Sequence, residues 1–110
     1  MAYDQDLADR IRLLLGDQPG LTEQPMFGGL AFLVNGNLAA SASSRGGMLL
    51  RVDKADTDSL VDDRQVRRFE MRGRAMDGWL HVDVDALGSD EELLRWLGYG
   101  VSYARALPPK

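Results

Sequence analysis

The chain has 110 residues, a formal net charge of −4 and no cysteine. Such a length suits one domain, residues 1–110, that buries about two thirds of its unfolded surface without staples. The missing cysteines exclude disulfides and thiolate metal sites, and the acidity disfavours sequence-independent nucleic-acid binding, which runs on phosphate neutralisation by Lys and Arg.

The N-terminus, Met1 to Asp6, is polar and acidic. It has no basic segment leading into an apolar one, so no signal peptide is expected. No apolar run approaches the ~18 residues of a membrane span, and the chain is expected to be cytoplasmic. From Asp4 to Gly16, Leu7, Ile11, Leu14 and Leu15 recur at helical spacing. They predict an amphipathic helix with Asp4 as N-cap and Gly16 as stop. Pro19-Gly20 marks a loop.

Leu30 to Val34 and Leu38 to Ala42 are apolar runs of strand length joined by Asn35-Gly36. Asn-Gly predicts a type I′ hairpin turn, in which both central residues need positive φ. Gly28-Gly29 upstream predicts another tight turn or bulge. All four residues are expected to be structural.

Ser43 to Gly47 reads as a loop and Met48 to Val52 as a short strand. Asp53 is expected to cap a helix reaching Val61 or Asp62, with Asp56 as a capping-box acid. Val66 to Met71 reads as a strand and Arg72-Gly73-Arg74 as a turn. Trp79 to Val84 alternates, with Leu80, Val82 and Val84 on one face and Trp79, His81 and Asp83 on the other. Ser89 and Glu92 form a capping box ahead of a last helix, whose core face carries Leu93, Trp96, Leu97, Val101 and Ala104. Gly98 and Gly100 each cost that helix about 1 kcal/mol relative to Ala. Close packing against another backbone, or a bend, is expected in return. The elements predict an α+β fold, an antiparallel sheet with N-terminal, middle and C-terminal helices packed against it.

Few residues carry candidate chemistry. His81, Asp83 and Asp85 would share one side of an extended strand and suggest a divalent metal or an acid/base pair. Their spacing of roughly 6.6 Å and the lack of a second His favour a solvent-facing polar stripe. The acidic run Asp53, Asp56, Asp58, Asp62 and Asp63 lacks the glycine and glutamate of a calcium loop. Ser43-Ser44-Arg45-Gly46-Gly47 lacks the ending of a phosphate loop. No serine has an adjacent His, so no catalytic, cofactor-binding or metal residue is assigned. The basic concentration lies between Arg64 and Arg74. Arg67, Arg68, Arg72 and Arg74 are the candidate interaction patch, on phosphates or an acidic surface, unless they pair with the abundant aspartates.

Met26-Phe27-Gly28-Gly29, Asn35-Gly36, Gly73-Arg74-Ala75-Met76-Asp77-Gly78-Trp79 and the closing Ala106-Leu107-Pro108-Pro109-Lys110 together resemble the N-terminal domain of TfoX/Sxy competence regulators. The likeness covers nearly the whole chain, and its order and spacing carry it rather than one motif. Ala75 stands where such domains often have proline. The resemblance implies an α+β domain and, in full-length regulators, a role in switching on DNA-uptake genes beside a cyclic-AMP receptor protein. Those proteins add a C-terminal helical domain that would begin where this chain ends. The resemblance implies no catalytic residue and no cofactor. The fold is also similar to YjbR-like domains, where DNA binding is an analogy. The leading expectation is a non-catalytic regulatory module that binds a protein partner or itself. A nucleic-acid-associated protein using Arg64 to Arg74 is second, and a metal-dependent enzyme at His81, Asp83 and Asp85 third.

Overall fold

The computed structural model describes residues 3–26, 28–62, 64–71 and 73–109. Helix α1, Gln5–Leu15, starts where the Asp4 carboxylate accepts the Leu7 N–H at 3.2 Å. It buries Leu7, Ala8, Ile11 and Leu15. Six strands follow as one antiparallel sheet. They are β1 (Leu21–Met26), β2 (Gly29–Val34), β3 (Asn37–Ala42), β4 (Met48–Arg51), β5 (Val66–Met71) and β6 (Arg74–Val82), in the order β1-β2-β3-β4-β6-β5.

Strand β1 has no counterpart among the predicted elements. It is an edge strand, polar and largely exposed, with Pro25 near its end. Such a strand lacks the hydrophobic period that marks the others, and its charges and proline protect an open edge. The β2–β3 hairpin turns on Asn35 at φ 54° and Gly36 at φ 83°, the type I′ requirement. A bulge follows. Phe32 pairs with Ala40 and Leu33 with Leu38, so Ala39 is the extra residue.

The helix expected from Asp53 to Val61 or Asp62 is instead a 3-10 turn, Lys54–Asp56, and one α-helical turn, α2, Thr57–Leu60. Asp53 accepts the Ala55 N–H, two residues on, which tightens the first turn. Asp56 makes no side-chain cap hydrogen bond. One Asp62 carboxylate oxygen accepts the N–H groups of Arg64, Gln65 and Val66 at 2.8, 2.9 and 2.9 Å. That turn ends the helix and launches β5.

Strand β6 begins five residues before the predicted Trp79 and ends two before Val84. Met71 pairs with Arg74 across the Gly73 turn, and the strand then passes through a bulge, with Arg68 opposite Leu80 and Phe69 opposite Met76. Gly78 within the bulge donates to the buried Thr57 hydroxyl at 2.7 Å. After Val82 the chain enters a 3-10 turn, Val84–Leu87, capped at Asp83. Val84 is therefore exposed, and Ala86 and Leu87 enter the core in its place.

Helix α3, Asp90–Ala106, is capped by Ser89, whose hydroxyl accepts the Glu92 N–H at 3.1 Å. Leu93, Trp96, Leu97, Gly100, Val101 and Ala104 are buried. The bulge at Ala39 sends its carbonyl toward Gly100, where any Cβ would collide with it and lie 2.9 Å from Leu50 Cδ1. Helices α1 and α3 thus pack on one sheet face over Phe32, Leu50, Leu80 and Val82. The opposite face carries a second apolar cluster, Ala31, Leu33, Leu38, Leu49 and Phe69, joined by Met26 and Trp79.

Candidate functional site

The second face follows from strand alternation. In register, Gln24, Ala31, Ser41, Leu49, His81 and Arg67 form a row across all six strands. Small Ala31 and Ser41 stand second and third in it, so the row dips between Gln24 and Leu49. Gly29, two residues from Ala31 along β2, lets the Ala42 carbonyl approach closely, because a Cβ there would strike it. Gly28, at φ 78°, sits in the turn that pairs Met26 with Gly29.

The loop from Ser43 to Gly47 bends over the row. The Ser43 hydroxyl accepts the Arg45 N–H at 3.1 Å, and the Gly46 N–H donates to the Ser43 carbonyl at 3.1 Å. His81 Nε2 lies 2.8 Å from the Gly46 carbonyl. A carbonyl only accepts, so Nε2 carries the proton. Nδ1 is 3.3 Å from Asp83 Oδ1 without hydrogen-bond alignment, and that carboxylate accepts from Arg67 at 3.0 Å.

So anchored, the loop lays the Arg45 guanidinium over Phe69, 5.0 Å from the ring centroid. One of its N–H groups donates to the Glu70 carbonyl at 3.3 Å. Two hollows meet there. A cavity of about 230 Å³ is lined by Met26, Ser41, Ser43, Leu49, Phe69 and Arg45. A wider trough of about 490 Å³ runs past Arg45, Phe69, Ala75, His81 and Arg67. Arg45 and Phe69 belong to both.

The predicted arginine patch is divided by the strand. Arg68 projects to the helical side, where it donates to Asp77 at 2.8 Å and is held by Asp58 as well. Hydrogen bonds to these two carboxylates raise its pKa above the ordinary value. Arg67 lies on the open side, paired with Asp83. Arg74 is exposed and meets no carboxylate among the described residues. Arg64 uses its backbone N–H on Asp62. Arg72 lies outside the described residues, as do Phe27, Asp63 and Lys110. Asp85 does not join His81 and Asp83, because β6 ends at Val82 and Asp85 sits in the 3-10 turn. No group of three potential metal ligands gathers among the described residues.

Arg45 enters the sequence reading only within the rejected phosphate-loop pattern, and it is not among the candidate interaction residues. A signal existed: in an acidic chain, no Asp or Glu occurs between Glu23 and Asp53, and Arg45 sits in that gap. The family model for the TfoX N-terminal domain matches residues 13–104. The chain belongs to the TfoX N-terminal domain family. No curated protein matches it significantly. The TfoX N-terminal match takes in the entire sheet, the Arg45 loop and most of α3. Among the described residues of this TfoX N-terminal domain, no helix is long and apolar enough to cross a membrane.

Proposed function

We propose that this domain is a non-catalytic, regulatory interaction module, and that it recognises an acidic partner protein through the open sheet face and the β5–β6 rim. Family membership fits a competence-regulator-like domain. The observation that carries the reading is the asymmetry of the sheet. Helices cover one face, while the other, whose apolar cluster is itself buried, carries two adjoining hollows at the loop of residues 43–47. Apolar floors with a few placed polar groups are what recognition sites use. Arg45 and Arg74, which meet no carboxylate among the described residues, supply charge for an acidic surface. We read the module as cytoplasmic, in keeping with its cysteine-free composition. Nucleic-acid contact through residues 64–74 has less support, because Arg67 and Arg68 are already bonded to aspartates.

The test is affinity capture with the full chain as bait. Arg45→Glu with Arg74→Glu is compared with Arg95→Glu, which reverses charge on α3 instead. A specific partner lost only with the double reversal supports the reading. A partner retained by the double reversal and lost with Arg95→Glu overturns it. Sedimentation of the chain alone distinguishes a second copy as the partner.

A further inference from the structure

We propose that the smaller cavity binds a small apolar monocarboxylate, about one ring in size, with its carboxylate on Arg45. The inference deepens the reading of this face as a recognition surface and rests on it.

Size sets the body of the ligand. The cavity measures about 230 Å³. An apolar cavity of about 150 Å³ is enough for benzene. One ring with a short arm therefore fits within it. Leu49, Phe69 and Met26 belong to one apolar cluster and offer that ring a hydrophobic wall.

Charge sets the head. Arg45 is the cation of this cavity. One of its five N–H groups is engaged on the Glu70 carbonyl, which leaves donors of the planar fork for a carboxylate. The Ser43 hydroxyl, largely buried, accepts from the Arg45 backbone and keeps its own proton to donate. The Gly46–His81 contact fixes the loop beneath Arg45, so the fork is positioned before a ligand arrives.

Valence follows from the neighbours. Arg67 is offset by Asp83, whose carboxylate also stands 3.3 Å from His81 Nδ1 beside the adjoining trough. One guanidinium is thus left against one ligand charge. A monoanion matches it, and a phosphate dianion would carry excess charge toward the Asp83 carboxylate.

The experiment titrates the full chain with phenylacetate, phenylacetamide and inorganic phosphate, by calorimetry and by amide chemical shifts. Phenylacetate is expected to saturate one site and to shift Ser41, Ser43, Leu49 and Phe69. Phenylacetamide should bind at least about tenfold more weakly, the loss expected when a charge-assisted pair is removed. Arg45→Gln should bring phenylacetate to the level of the amide. Arg45→Lys, with charge but no fork, should fall between, and Arg95→Gln should match wild type. Equal binding of acid and amide overturns the proposal. So does undiminished binding in Arg45→Gln, a preference for phosphate, or no saturation by about 10 mM, weaker than any useful effector affinity. Because the titration needs no partner, failed capture with successful titration defeats only the partner reading, and the reverse defeats only this one.

Discussion

Two glycines of one helix meet opposite surroundings. Gly100 touches the bulged backbone at Ala39, while nothing lies within 4 Å of a Cβ built on Gly98. Their cost to helix formation is the same, about 1 kcal/mol each relative to Ala. Only at Gly100 does close packing offset it. Gly98→Ala is therefore expected to stabilise the chain by up to about 1 kcal/mol. Gly100→Leu should destabilise it by about 1–3 kcal/mol or more, since an overpacked contact with backbone has no flexible neighbour to yield. Urea melts of both variants check this, and equal midpoints would remove the close-approach account. The β2–β3 turn gives a second case. Gly36 holds φ 83°, which a β-branched residue adopts only under strain. Gly36→Val should cost about 1–3 kcal/mol, and an unchanged thermal midpoint would show that the turn tolerates other geometry.

Between elements, Asp62 is the side chain that ends α2 and starts β5. Backbone hydrogen bonds, that of Val66 foremost and then those of Arg64 and Gln65, hold its pKa below the ordinary value. A carboxylate depressed by folding contributes stability that is complete above its unfolded pKa, about 3.9, and is lost as pH falls from there through the folded value. Glu23 is lowered in the same sense by its hydrogen bond with Arg12. Asp62→Ala should therefore lower stability at neutral pH and flatten its decline below about pH 4. Parallel wild-type and variant curves through that range would exclude Asp62 as an acid-sensitive latch. The same turn shows what periodicity conveys. Helices α1 and α3 and the β2–β3 hairpin are legible because caps, apolar spacing and Asn35-Gly36 act locally. Strand β1 is not, since an exposed edge strand needs no apolar face. Nor is the first half of β6, where the bulge at Gly78 interrupts alternation and is held by Thr57 from another element. The arginine patch was visible as composition, but strand direction sends Arg67 and Arg68 to opposite faces and different aspartates. The open-face site is a row drawn from six strands with a loop above it. No local pattern encodes that register; the acid-free stretch around Arg45 is its one trace in sequence.

For the molecule as a whole, the order of the sheet predicts where stability is concentrated. Strands β3 and β4 are central, and each is bonded on both sides. They also lie beneath α3, which contacts both of them. Opening either strand breaks two ladders and exposes Leu50, Ala40 and Leu97 together. Their amides should exchange with solvent only through global unfolding. Strand β1 has one bonded neighbour, and its middle residues are exposed. Arg12 of α1 reaches across to Glu23 at 2.7 Å, but a surface ion pair contributes only about 0–1 kcal/mol. Pro25 also removes one backbone donor from this strand. Local opening of β1 therefore loses little apolar burial and leaves the core intact. Native-state hydrogen exchange with increasing urea is expected to separate the two sets. The β1 amides bonded to β2 should exchange faster and show a small denaturant slope. Those shared by β3 and β4 should show the full slope of unfolding. If β1 amides instead merge with the β3 and β4 set at low urea, the edge strand belongs to the same cooperative unit. The Arg12–Glu23 pair would then contribute more than an exposed pair normally does, and Arg12→Gln should separate the β1 amides from that set.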